Sequence, residues 1–303
     1  MYSIANAPCS WGVDDPKNPF LPPWQKVLGE AQQAGYPGIE LGPWGYLPTD
    51  PAALNEALAS HNLSLIAGTI FDDLVSEANF ENMRELAHNI CANLQKVPIG
   101  NAQSEVPPPY LVIIDFGNAE RARSAGQSAR AKRLPDVEWQ RMVAHIRALS
   151  AIAREYGVRP VIHPHAGGFI EFGDEIDRIA ADIPASEAGL CLDTGHLYYA
   201  GLDPVSWLRK YVHRLDYLHF KDVNRVICEA AIAQQQDFFK ACAAGVMCPL
   251  GTGDIDYPAV RALLAELNWQ GWITIEQERD PRDVAGSLKD VTASLHYLRK
   301  AGF

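Results

Sequence analysis

Eight short apolar runs recur along the chain with helix-like stretches between them, and this alternation constrains the fold more than any other feature. The runs are residues 3–8, 38–41, 64–69, 110–115, 160–165, 189–193, 215–221 and 272–278. Such runs are short enough to be buried strands, and helical stretches between strands act as crossovers that make those strands parallel. The helical stretches are 24–34, 51–60, 79–94, 136–156, 175–182, 204–211, 229–243 and 257–267. Eight units in alternation predict a closed (β/α)8 barrel over residues 1–303 as one domain, with a C-terminal capping helix near 285–299. Helix boundaries carry their own signals. Asp50 before Pro51 and Asp203 before Pro204 put a capping carboxylate ahead of a first-turn proline, and Gly35 and Gly157 stop the helices before them.

Composition excludes several classes of function. The formal net charge of −11 repels a phosphate backbone, so nucleic acid is not an expected partner. No run reaches the 18 or so apolar residues that a membrane span needs, and residues 1–6 do not resemble a signal peptide, so a cytoplasmic location is expected. The six cysteines form no C-x-x-C pair and are expected to be reduced thiols. Two connections, 101–109 and 118–135, lack apolar periodicity and read as loops. The second holds Arg121, Arg123, Arg130, Lys132 and Arg133. It reads as a solvated loop, or alternatively as a lid or subunit contact, and leaves a phosphate- or carboxylate-bearing substrate open.

A barrel of this kind places its active site at the C-terminal ends of its strands. Those ends carry Cys9 and Trp11, Glu40, Thr69 and Asp72, Asp115, His163 and His165, Asp193 and His196, His219 and Lys221, and Glu276 and Glu278. Packing alone does not explain so many imidazoles and carboxylates, because buried charges need partners. Carboxylates and imidazoles converging from separate strands are suited to a divalent ion, and Asp193, His219 and Glu276 are the best candidates. The alternative is an internal ion pair. The Gly-Thr-Gly of residues 251–253 lacks the lysine and hydroxyl of a phosphate loop, and Asp254 with Asp256 does not fit a calcium loop.

Five ordered segments resemble the xylose-isomerase-like sugar isomerase and epimerase superfamily, and more narrowly the inosose (2-keto-myo-inositol) dehydratases. They are His-Pro-His-Ala-Gly-Gly-Phe-Ile-Glu at 163–171, Leu-Asp-Thr-Gly-His-Leu-Tyr-Tyr at 192–199, His-Phe-Lys-Asp-Val-Asn-Arg at 219–225, Pro-Leu-Gly-Thr-Gly-Asp-Ile-Asp at 249–256, and Ile-Glu-Gln-Glu at 275–278. Ala-Pro-Cys-Ser-Trp-Gly at 7–12 fits too. The resemblance implies that Asp193, His219 and Glu276 hold a divalent metal (Mn²⁺, Co²⁺, Mg²⁺ or Zn²⁺), while His196 and Arg225 orient substrate oxygens. The superfamily has a glutamate as fourth ligand where this chain has His163. Either the imidazole substitutes, or Glu171 folds back to supply the oxygen; a second anionic group favours Glu171.

The metal would polarise a ketone and its neighbouring hydroxyl, making the adjacent C–H acidic and giving an enediolate. Glu276 is the implied base, with Glu171 or His163 as its partner on the other face. His165, His196 and Lys221 are the groups able to protonate a departing hydroxyl; the alternatives are His165 as a loop anchor, His196 as a partner of Asp193 and Lys221 as counter-charge to the carboxylates. Trp11 is suited to stacking on a polyol face or to packing, and Glu40, His163, His165 and Arg225 to binding its oxygens, with Glu40 alternatively satisfying a neighbouring Lys or Arg. Dehydration of a keto-inositol or related keto-polyol is the leading expectation. Metal-dependent isomerisation or epimerisation of a sugar, or sugar phosphate, is the alternative. An apurinic-site-type nuclease and a non-catalytic sugar-binding barrel are the remaining classes. A homo-oligomer is compatible with all of them.

Overall fold

The computed structural model describes residues 2–97 and 109–303. The loop expected at 101–109 therefore lies, apart from Pro109, outside the described residues. Nine parallel strands form one sheet: β1 (Ser3–Asn6), β2 (Gly38–Ile39), β3 (Ser64–Leu65), β4 (Ala67–Asp72), β5 (Tyr110–Asp115), β6 (Arg159–Ile162), β7 (Gly189–Asp193), β8 (Leu215–Phe220) and, after a short excursion, β11 (Trp272–Ile275). β3 and β4 are one barrel strand broken at Ile66. Leu41 N–H donates to Ala67 O at 2.8 Å and Tyr110 N–H to Ile66 O at 3.0 Å, so this strand is bonded on both sides and the ring closes.

Alternation along the strands separates two apolar layers. One side packs under the helices, for example Leu192, Leu218, Phe220, Ile273 and Ile275. The other fills the lumen with Ala5, Ile66, Ala67, Tyr110, Val112, Ile114, Val161, Cys191, Tyr217 and Trp272. A period of two carries the lumen face upward from Cys191 to Asp193, from Tyr217 to His219 and Lys221, and from Trp272 to Thr274 and Glu276. The polar site is therefore the top layer of the packed lumen.

The helices are α1 (Trp24–Ala34), α2 (Pro51–Ser60), α3 (Phe80–Lys96), α4 (Ala119–Ala122), α5 (Asp136–Glu155), α6 (Gly173–Asp182), α7 (Thr194–Tyr199), α8 (Pro204–Tyr211), α9 (Arg225–Ala233), α10 (Phe238–Ala243), α11 (Tyr257–Glu266) and α12 (Ser287–Lys300). Asp50 and Asp203 cap α2 and α8 as expected, accepting from Ala53 N–H and Ser206 N–H. The C-terminal helix α12 packs beside α1, where the Tyr36 hydroxyl donates to Val291 O at 2.7 Å. No described helix is long and apolar enough to cross a membrane.

Two expectations about connections are corrected. The single helix at 229–243 is instead two, α9 and α10, within an excursion whose short strands β9 (Asp222–Val223) and β10 (Met247–Cys248) pair antiparallel. Residues 118–135 are a solvated loop only in part: α4 opens them and Arg123, Arg130 and Lys132 are exposed, but the rest is anchored. Arg121 is buried there and bonds Glu175, Gly168 O and Lys132 O, because a buried guanidinium needs a carboxylate and carbonyls around it. Arg133 pairs with Asp174 and Lys132 with Glu120.

Candidate metal centre and active-site cavity

The register of three adjacent strands brings the first side chains together. Asp193 ends β7 directly opposite His219 of β8, and His219 is opposite Thr274 of β11. Glu276 extends that ladder by donating its N–H to Phe220 O at 3.0 Å. Asp193 also starts α7. Its Oδ1 accepts His196 N–H at 2.9 Å as the helix cap, which leaves Oδ2 for the site. The turn is tight because Gly195 lies against Lys221: a Cβ at 195 would sit 2.5 Å from that of Lys221.

One potential ligand atom from each of His163, Asp193, His219 and Glu276 lies within 4.8 Å of all the others. His163 Nε2 is 3.7 Å from Asp193 Oδ2, and His219 Nδ1 is 3.0 Å from Glu276 Oε2 and 4.0 Å from Asp193 Oδ2. Both ring nitrogens of His163 are buried without a hydrogen-bond partner, as is His219 Nδ1. Buried polar atoms left unpaired call for a partner, and two imidazoles with two carboxylates are a donor set that fits Mn²⁺, Co²⁺ or Zn²⁺.

Lys221 lies beside this group, buried. Its ammonium donates to Asp193 Oδ2 at 2.8 Å and to Glu276 Oε2, and lies 3.1 Å from Glu278 Oε1 as an ion pair. Of the three N–H donors of the lysine, Asp193 and Glu276 engage two, and Glu278 faces the ammonium as an ion pair. Burial opposes the ionised state of each group; the opposite charges prevail at Lys221 and Asp193 but not at Glu278. Lys221 is held well above its ordinary range by Asp193, Glu276 and Glu278. Burial likewise disfavours the Asp193 carboxylate, yet Lys221, His163 and His219 bring it down to about 2. Burial and the neighbouring Glu276 push Glu278 up to about 7 against the pull of Lys221. Desolvation, with His163 and Lys221 adding to it, pushes His165 down to about 3, so its imidazole is neutral near pH 7.

These groups face a cavity of about 760 Å³, lined by Glu40, His163, His165, His219, Lys221, Glu276 and Glu278 together with Cys9, Trp44, Phe71 and Phe239. The volume suits a small polyol. Its mouth is aromatic: Phe71 lies 5.0 Å from the His165 ring and 6.0 Å from Phe239.

Four expected site residues lie elsewhere. Glu171 accepts Gly126 N–H at 2.7 Å and Gly167 N–H at 3.0 Å and faces Arg121, so its carboxylate braces the loops above β6 instead of joining the metal group. His163 is the fourth member. Trp11 is fully buried and donates its Nε1–H to Glu30 at 2.7 Å, which makes it a packing residue. Arg225 opens α9 with its side chain 60% exposed, 3.9 Å from Asp254 and away from the cavity lining. His196 packs against His165 with ring centroids 4.0 Å apart and planes tilted by 40°, and its Nδ1 accepts Ala166 N–H, so it supports the His165 loop. Glu40, expected to bind substrate, accepts from His219. Glu278 was visible as a strand-end carboxylate, but only the fold shows its attachment to Lys221.

The chain matches the xylose isomerase-like TIM barrel family model over residues 28–301. It is 31% identical over 290 residues to the inosose dehydratase of Geobacillus kaustophilus, covering 92% of this chain and 88% of that protein. The inosose dehydratase of Bacillus licheniformis is 30% identical over 293 residues, covering 96% and 93%. Among solved structures, a D-allulose 3-epimerase from Methylomonas sp. in complex with D-allulose superposes with a TM-score of 0.70 at 17% identity, covering 99% of this chain and 97% of that one. A probable 3-DHS dehydratase from Bacillus anthracis superposes with a TM-score of 0.69 at 14% identity, covering 99% of each. At those identities the two structures speak to the fold alone. A closed parallel barrel with this motif order, matched along most of its length, identifies the chain as a member of the xylose isomerase-like TIM barrel family.

Proposed function

We propose that this protein is a divalent-metal-dependent dehydratase acting on 2-keto-myo-inositol or a closely related keto-polyol. The observation that carries the reading is the group His163, Asp193, His219 and Glu276, of which His163, His219 and Glu276 line a cavity large enough for a polyol. Relatives of about 30% identity along nearly the whole chain are inosose dehydratases, and this favours dehydration over the isomerisation or epimerisation that the same donor set could support. An ion held by these four side chains, Mn²⁺ or Co²⁺ being best suited, would supply Lewis-acid polarisation of a ketone and its neighbouring hydroxyl.

The protein's own groups account for the proton movements. Glu276, at the cavity wall, takes the proton from the carbon beside the ketone as that C–H bond breaks. The C–O bond of the hydroxyl on the next carbon then breaks. Its oxygen takes a proton from Glu278 and leaves as water. Lys221, which donates to Asp193 and Glu276 and pairs with Glu278, keeps these carboxylates in register. Among the described residues the cavity lining carries two lysines, Lys17 and Lys221, against six carboxylates, Asp14, Asp15, Glu40, Asp72, Glu276 and Glu278, an acidic balance that supports an uncharged substrate over a phosphorylated one. The acidic chain as a whole supports a small-molecule substrate and no nucleic-acid partner.

The test is incubation with Mn²⁺ and 2-keto-myo-inositol while ultraviolet absorbance of the enone or diketone product is followed. Growth of that absorbance is expected. Turnover of free ketoses without it would replace this reading with the epimerase or isomerase one.

A further inference from the structure

Glu40 stands just past β2, its N–H donating to Asn6 O at 3.0 Å, and its side chain is buried. A buried carboxylate needs donors, and the structure gives it two at the same oxygen. Oε1 accepts from His219 Nε2 at 2.9 Å and from the Tyr217 hydroxyl at 2.5 Å. Tyr217 is itself held: its ring stacks on Tyr110 at 4.4 Å and 9°, and its hydroxyl also meets Thr274. The carboxylate, the phenol and the stacked ring form a rigid bracket behind His219.

An imidazole that donates from Nε2 carries its free lone pair on Nδ1. That nitrogen is the one turned toward Glu276 and Asp193. His163 has no such bracket, since both its ring nitrogens lack a hydrogen-bond partner. The two histidines of the group are therefore unequal: one is oriented from behind, and the other is oriented only by packing.

We propose that Glu40 is a positioning residue that fixes the Nε2–H tautomer of His219, presents Nδ1 to the metal and strengthens it as a ligand, with Tyr217 setting the carboxylate's angle. This rests on the metal reading of the site. Loss of such a carboxylate behind a ligating imidazole lowers metal affinity by roughly 10- to 100-fold.

The test measures affinity of the full-length, metal-stripped protein for Co²⁺ by competition with a chromophoric chelator, together with the visible spectrum of the bound ion. Glu40→Ala is expected to weaken Co²⁺ binding by roughly 10- to 100-fold and to shift its visible bands. Formate, which fits the space vacated by the carboxylate, should restore part of both. Glu40→Gln keeps an oxygen able to accept from Nε2–H and should lose less, and Tyr217→Phe less again. Glu40→Gln also serves as the isosteric variant should Glu40→Ala fail to fold. Wild-type affinity and spectrum in folded Glu40→Ala or Glu40→Gln would overturn the proposal. So would a change confined to the KM for the polyol, which would make Glu40 a substrate-binding group. If the unaltered protein binds no Co²⁺, the metal reading fails together with this one; binding without dehydration would sink the function and leave the Glu40 result decisive.

Discussion

At the scale of single residues, the site depends on how each side chain divides its hydrogen-bonding capacity. Asp193 spends Oδ1 on the cap of α7 and Oδ2 on the site, so Asp193→Asn should abolish stoichiometric metal while the cap survives through its amide oxygen. His219→Ala should do the same, and elemental analysis of both variants checks it. Glu171→Gln, by contrast, should keep full metal content, because that carboxylate lies on Gly126, Gly167 and Arg121. The same residue predicts a pH dependence. Burial pushes Glu171 from the ordinary 4.5 up to about 7 against the hydrogen bonds from Gly126 and Gly167. Between these values the folded chain keeps a proton that the unfolded chain has released, so stability falls as pH rises through that window. In Glu171→Gln the slope of unfolding free energy between pH 5 and 7 should be shallower by up to about 1.4 kcal/mol per unit, measured by urea denaturation. An unchanged slope would mean that Glu171 ionises normally.

At the scale of elements, the excursion after β8 hangs on Asp222. Its two oxygens accept four backbone N–H groups, from Val223 at 3.0 Å, Gly251 at 2.8 Å, Gly253 at 3.0 Å and Ile255 at 3.1 Å. A side chain at 253 could not share that space, since a Cβ there would sit 2.2 Å from Asp222 Oδ1. The Gly-Thr-Gly sequence is thus a tight wrap around a carboxylate, consistent with its rejection as a phosphate loop. Asp222→Ala strands these donors in a partly buried turn and should cost at least about 2 kcal/mol. Hydrogen exchange should show protection lost at Gly251, Gly253 and Ile255 while the amides of β5 and β7 keep theirs. Equal loss across the barrel would show that the wrap is no separate unit. Amphipathic period and capping marked most helices to within a residue or two. The same signals failed at 229–243, where a turn at Gln235 with positive φ splits one apolar stretch into two helices.

At the scale of the molecule, the four candidate ligands follow or end β6, β7, β8 and β11, four neighbouring strands of one ring. Binding an ion there ties these strands to one another only in the folded state, so stability should rise with metal concentration. At a free concentration a hundredfold above Kd the gain is about 2.7 kcal/mol. Thermal unfolding of the stripped protein with and without Mn²⁺ should show the difference, and Asp193→Asn should not respond. An identical rise in that variant would place the stabilising ion somewhere else.

The sequence by itself determined the alternation of strands and helices, hence the barrel, and through the strand ends most of the groups that meet in the cavity. These are properties of local period and order, which a chain carries in its residues one after another. Tertiary structure decided which strand-end groups face one another. It put His163 rather than Glu171 with Asp193, His219 and Glu276, buried Trp11 against Glu30, left Arg225 outside, and turned Arg121 inward and Arg133 onto Asp174. The physical reason is that a side chain's role follows from its partners. Glu171 and Glu276 are the same residue near the same rim, but one meets backbone N–H groups and an arginine, and the other meets two imidazoles and an aspartate around a shared point in space.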